Sequence, residues 1–109
     1  MFPYHELNPT TTTDIWRARN RVSQHLPKTP LVRSEVLSAE FDADVYLKRE
    51  DTLPTGAFKV RGGINLLSTL DSDFHDPGVV AASTGNHGQS IAYAGRQFDI
   101  PVTIVVPED

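Results

Sequence analysis

Three short apolar runs, at residues 45–48, 78–82 and 102–106, alternate with two stretches of helical periodicity. That alternation constrains the fold more than any other feature of the chain. Gly78-Val79-Val80-Ala81-Ala82 lacks polar alternation, as expected of a strand covered on both faces, and Val102-Thr103-Ile104-Val105-Val106 is the clearest strand in the sequence. Between the first two runs the spacing predicts a helix over about 57–70 with Val60, Ile64 and Leu67 on one face. Between the last two it predicts a helix over 87–98 with Ile91, Ala94 and Phe98 turned inward. Strand, helix, strand, helix, strand with short connections predicts a parallel sheet with right-handed crossovers, so the fold class is α/β, a parallel sheet with flanking helices.

Upstream, residues 1–13 read as an arm or loop, with Pro3, Pro9 and the run Thr10 to Thr13, the last of them placed to cap a helix. From Asp14 a helical pattern puts Ile15, Ala18, Val22 and Leu26 on one face, and Pro27 and Pro30 end it. Lys28-Thr29-Pro30-Leu31 is then an extended crossing, residues 34–39 suit a short helix, and Phe41-Asp42-Ala43-Asp44 is a turn. The chain stops at Pro107-Glu108-Asp109, just past its strongest strand, with no helix following to cover it. The 109 residues are therefore expected to be an incomplete piece of a larger fold.

Composition excludes more than it identifies. A net charge of −4 argues against a nucleic-acid surface, which needs clustered Lys and Arg. The absence of cysteine rules out disulfides, thiolate metal sites and a catalytic thiol. No basic stretch followed by an apolar core marks the N-terminus as a secretory signal, and no apolar run approaches the roughly 18 residues of a membrane span. The expectation is a cytoplasmic protein with no membrane partner. His5, His25, His75 and His87 lack metal-ligand spacing, so no metal site is expected.

Two segments can carry chemistry, each at the carboxyl end of a predicted strand, where α/β sheets bind ligands. The first is Lys48-Arg49-Glu50-Asp51-Thr52-Leu53-Pro54-Thr55-Gly56-Ala57-Phe58-Lys59-Val60-Arg61-Gly62-Gly63. Lys59 falls in the first turn of a helix, where the positive end of the dipole opposes its charge. The same field, with desolvation, favours the neutral amine that Schiff-base chemistry requires. Position alone equally suits a solvated surface lysine, the commoner case. Gly62-Gly63 inside a helix signals close packing or the approach of a ligand. Glu50 and Asp51 read as capping or ion-pair groups.

The second segment is Ser83-Thr84-Gly85-Asn86-His87-Gly88. Successive N–H groups, two hydroxyls and a glycine before a helix make either an anion nest or an ordinary capping turn. Neither segment has the Gly-Lys-Ser/Thr ending of a phosphate loop, and no Gly-x-Gly-x-x-Gly occurs. Ser83 and His87 lack the strand-turn elbow that a hydrolase serine needs.

Taken together, Lys48-Arg49-Glu50-Asp51 with Pro54 and Ala57-Phe58-Lys59-Val60-Arg61-Gly62 resemble the cofactor-lysine motif of fold-type II pyridoxal-phosphate enzymes. Ser83-Thr84-Gly85-Asn86-His87-Gly88 resembles their substrate-carboxylate loop, and Thr29-Pro30-Leu31 matches the serine/threonine dehydratase branch. The resemblance implies a tryptophan synthase β-like fold of which residues 1–109 are the N-terminal portion. It implies pyridoxal 5'-phosphate as cofactor, with Lys59 linked to it and moving the substrate Cα proton, Phe58 beside it and Asn86 on its ring oxygen. Ser83, Thr84, Gly85 and His87 would surround the substrate carboxylate, His87 as a positioning group. The implied reaction is elimination from L-threonine or L-serine to a 2-oxo acid and ammonia. Serine racemase, hydroxyaspartate lyase and threonine synthase are the alternatives within the family, and a non-catalytic carboxylate-binding module the one outside it. Thr84 stands where some relatives carry a second serine that delivers a proton during racemisation, which weakens the racemase reading. His87 replaces the threonine usual in threonine synthase. The phosphate-gripping loop and the partner of the pyridine nitrogen lie C-terminal in this family. The 109-residue chain alone is therefore expected to be inactive, and the full-length protein to be a homo-oligomer.

Overall fold

Residues 8–71, 73 and 76–108 are described by the computed structural model; His5 and His75 lie outside them. The element order is α1 (Thr12–Val22), β1 (Leu31–Arg33), α2 (Glu35–Phe41), β2 (Tyr46–Lys48), a 3₁₀ turn (Glu50–Thr52), α3 (Val60–Leu67), β3 (Val79–Ala82), α4 (Asn86–Phe98) and β4 (Val102–Val105).

Helix α1 starts two residues earlier than its sequence suggests. Thr11, not Thr13, is the N-cap: its hydroxyl accepts from Asp14 N–H, and the Asp14 carboxylate accepts from Thr11 N–H at 2.9 Å. This reciprocal pair is a capping box, and it satisfies two otherwise orphaned donors. Of the expected inward face, Val22 and Leu26 are buried, but Ile15 is 61% exposed.

The parallel sheet is β3 against β4, in register from Val79↔Val102 to Ala82↔Val105. Helix α4 forms the crossover and packs on one face, where Val79, Ala81, Val102 and Ile104 meet the core. Gly95 permits this approach, since a Cβ there would sit 2.3 Å from a Val102 methyl. The opposite face, with Val80 72% exposed, is open among the described residues. The run 78–82 is apolar throughout, but its two faces differ in cover.

The third expected strand of that sheet goes elsewhere. β2 pairs antiparallel with β1, Leu31↔Lys48 to Arg33↔Tyr46, to make a separate two-stranded sheet. The segment read as a simple crossing is thus partly a strand. The cause is local: Ser34 caps α2, Asp42 ends it in the left-handed region at φ 46°, and Ser38 Oγ accepts from Val45 N–H at 3.0 Å. These contacts turn the chain back on itself over a dozen residues, before any longer-range pairing is possible.

The core lies between α3 and α4. Val60, Ile64, Leu67, Ile91 and Ala94 are all at most 4% exposed, and Leu53, Val22 and Ile100 close its edges. Burying each large aliphatic side chain contributes roughly 1.5–3 kcal/mol. This packing fixes the two helix starts that carry the candidate site.

Candidate functional site

Lys59 reaches its position through a run of turns. After the 3₁₀ turn, buried Leu53 anchors the loop, and Gly56 N–H donates to Leu53 O at 2.8 Å with φ +68° at Gly56, a conformation that favours glycine. These turns consume residues 54–58, so α3 starts at Val60, about three residues later than expected, and Lys59 is its N-cap and not a residue of its first turn. The side chain of Lys59 makes no capping hydrogen bond. Its amine is exposed and lies 5.6 Å from the centroid of the Phe58 ring, itself 59% exposed. The desolvation expected around this amine is not provided by the described residues.

The second segment continues β3. Ser83 N–H still donates to Val105 O, and the Ser83 hydroxyl accepts from Gly85 N–H at 3.2 Å. Gly85 is the N-cap of α4 and has no side-chain cap. Thr84, Asn86 and His87 are exposed, and a Cβ on Gly85 would meet nothing within 4 Å. Gly88 lets this turn fold onto its own helix, since a Cβ there would come 3.2 Å from Ser83 O and from an Ile104 methyl. The result is an open cradle at the positive end of a 13-residue helix.

The two segments meet through a residue that sequence reasoning did not single out. Ser90, one turn along α4 from Asn86, is fully buried. Its hydroxyl donates to Lys59 O at 2.5 Å and accepts from Gly63 N–H at 3.1 Å. The glycine pair in α3 was the available signal, and it points to Gly63 alone. A Cβ on Gly63 would lie 2.4 Å from Ser90 Oγ, whereas one on Gly62 would meet nothing within 4 Å.

A second group buttresses the same turn. Arg61 donates to Glu50 through Nε at 2.7 Å and Nη2 at 3.0 Å, and the Thr29 hydroxyl donates to Glu50 Oε1 at 2.5 Å. Lys48 Nζ donates to Thr29 O. The Arg61 guanidinium, then the Thr29 hydroxyl, hold the Glu50 carboxyl down at about 2, against a burial effect that pushes it up. Glu50 is thus the expected ion-pair group, as is Asp51, which pairs with Arg49 at 2.6 Å. Thr29 of the Thr-Pro-Leu segment is 3% exposed and serves this network.

Two concavities are present, the larger lined in part by Lys48, Glu50, Arg61 and Gly62 of the first segment but not by Lys59, the smaller by neither segment. One of about 770 Å³ runs between α1, Lys28 and the start of α3; the other, of about 420 Å³, is lined by Gly95, Asp99 and Val102 among others. Among the described residues no group of three or more His, Asp or Glu is placed to hold a metal, and no helix is long and apolar enough to cross a membrane.

The donor set fits an aldehyde cofactor with a planar ring. It offers one primary amine, an aromatic ring beside it, an exposed amide on the facing helix, and an open turn of N–H groups. Comparison with known proteins agrees. The sequence model of the family described as "Pyridoxal-phosphate dependent enzyme" matches residues 22–109. The L-threo-3-hydroxyaspartate ammonia-lyase of Saccharomyces cerevisiae is 40% identical over 91% of this chain and 30% of its own length. The L-threonine ammonia-lyase of Thermotoga maritima is 42% identical over 89% of this chain and 24% of its own. The structure of maize serine racemase superposes with a TM-score of 0.86 and 32% identity, over 92% of this chain and 31% of that one. The chain spans less than a third of the length of each.

Proposed function

The chain belongs to the pyridoxal-phosphate dependent enzymes, and we propose from that premise that it is the N-terminal part of a catalytic domain that eliminates ammonia from L-threonine or L-serine. One observation carries the assignment of residues. Lys59, at the start of α3, is tied by hydrogen bonds to α4, which begins at Asn86. On this reading the Lys59 amine and the turn at residues 83–86 belong to one site.

When bound, the cofactor supplies an electron sink for charge developing at the substrate Cα. Lys59 would hold the cofactor covalently, and its amine would serve as the base for the Cα proton, a short transfer from a group held in place. Phe58 packs beside the cofactor ring. Asn86 would donate to its ring oxygen. The backbone N–H groups of Ser83, Thr84 and Gly85 bind the substrate carboxylate at the helix start, and His87 orients that turn. Loss of the β-hydroxyl and hydrolysis of the product give, in sum, one 2-oxo acid and one ammonia from each amino acid.

A second reading has its own support, because two relatives, 40% and 44% identical, are L-threo-3-hydroxyaspartate ammonia-lyases. It shares every step above and differs only in the group on the substrate β-carbon. The test uses the intact protein. Lys59→Ala is expected to abolish the visible absorbance of lysine-bound cofactor and its fixation by borohydride. Retention of a fixable band would remove Lys59 from its role. Release of 2-oxo acid from threonine, serine and threo-3-hydroxyaspartate, with chirality followed on serine, separates the two lyase readings and exposes a racemase.

A further inference from the structure

We propose that Ser90 is a positioning residue, whose hydroxyl fixes the Lys59 peptide, and so the seat of its amine, relative to the turn at residues 83–86. The proposal rests on the reading of Lys59 as the cofactor lysine and goes beyond it to what orients that lysine.

Helix α3 holds its own first residue weakly. Lys59 occupies the N-cap without a side-chain cap, the turns before it include a left-handed glycine, and Gly62 and Gly63 occupy the first turn after it. Each glycine adds backbone freedom where the helix most needs constraint. The Lys59 carbonyl accepts from Gly62 N–H at 3.0 Å and Gly63 N–H at 3.3 Å, both of them flexible partners. The third donor is Ser90 Oγ, from a different helix.

Ser90 is suited to that constraint. It is fully buried, and Val60, Ile64, Ile91 and Ala94 of the same two helices are at most 4% exposed. A hydroxyl in such a place is tolerated only when bonded, and this one both donates and accepts. Its two partners lie on α3, while its own backbone lies one turn beyond Asn86 on the same face of α4. The distance between the amine and the carboxylate turn is therefore set across one hydroxyl, with Gly63 leaving the room for it. Tilting of the Lys59 peptide by a loosened first turn is amplified along the lysine side chain, and small misplacements of a reacting group cost rate steeply.

The experiment compares Ser90→Ala with Ile64→Val in the intact protein. The second substitution trims the same helix interface without touching the hydrogen bond. In cofactor-free protein, Ser90→Ala is expected to speed amide exchange at Gly63 by about fivefold or more, as the shorter of its two hydrogen bonds is lost. With cofactor, it is expected to lower kcat by about tenfold with KM within about twofold, as for a lost orientation and not a lost binding contact. The pH at which the visible band of lysine-bound cofactor titrates is expected to move, and Ile64→Val to leave all three readouts unchanged. Should Ser90→Ala not fold, Ser90→Cys, with a weaker donor, carries the same measurements in the same direction. If either Ser90 variant matches Ile64→Val in exchange, kcat and band titration, the positioning role is overturned. Failure of Lys59→Ala to abolish the band overturns instead the reading on which it rests.

Discussion

The two halves of the chain are held together by different physics. From α3 onward, order comes from apolar burial and close helix approach: Val60, Ile64 and Ala94 are inaccessible, and Gly63 and Gly95 bring backbones within van der Waals contact of their neighbours. From β1 to β2 every strand residue is exposed, and Ser38 is the one buried residue of α2. There the order comes from polar contacts, Ser34 on Leu37 N–H, Ser38 on Val45 N–H, and Arg33 between Glu35 and Asp44. The contrast teaches where the candidate site can be preorganised. Lys59 and the 83–88 turn both sit at edges of the apolar half, and the Thr29–Glu50–Arg61 junction joins the residues that flank β1 and β2 to the start of α3.

The sharpest way to break this comparison is to remove the same kind of side chain from each half. Ile64→Ala is expected to cost about 2–5 kcal/mol in urea unfolding, because it opens a cavity in a fully closed interface. Leu47→Ala, on β2 and 39% exposed, is expected to cost well under half of that. Equal losses would mean that the halves are not held differently.

The junction comes next in size. Glu50→Gln is expected to cost about 1–2 kcal/mol, less than a fully buried pair would, since Arg61 keeps 34% of its side chain in water. Its pH dependence has a defined sign. The folded chain holds the Glu50 carboxyl at about 2, below its ordinary 4.5, so the stabilisation is complete above about pH 4.5 and is lost as pH falls toward 2. Urea midpoints measured across that window are expected to decline in the parent and to flatten in Glu50→Gln. A parallel decline in both would assign the acid sensitivity to other carboxylates.

The same division explains what the sequence disclosed. Helices α3 and α4 and strands β3 and β4 were legible because their apolar periodicity is itself the packing: Val60, Ile64, Leu67, Ile91 and Ala94 are all buried as their spacing requires. Both candidate segments follow strands as read, although the first follows β2 of the antiparallel pair and not a strand of the parallel sheet. The pairing of Leu31–Arg33 with Tyr46–Lys48 was not, because three-residue strands exposed on both faces carry no periodicity to read. The start of α3 was misplaced for a related reason, since turns at 54–58 satisfy the backbone there and compete with helix. Ser90 was missed because a serine at a buried helix position is marked by its partners, Lys59 O and Gly63 N–H, and those lie 31 and 27 residues away.

The smallest expected effect tests the polar half from the outside. Val36 lies in the first turn of α2 and is 79% exposed, so its side chain has almost no burial to lose. Replacing a β-branched residue by alanine also relieves the helix of a restricted χ1. Val36→Ala is therefore expected to leave stability within about 0.5 kcal/mol of the parent, with any change in the stabilising direction. Leu31, Val32 and Phe41 are likewise 40% exposed or more, so Val36 samples an apolar surface and not an isolated side chain. In the intact protein a loss above about 1 kcal/mol is more than an exposed side chain can cause. It would show that this surface is covered there, and that the polar half draws part of its order from apolar burial after all.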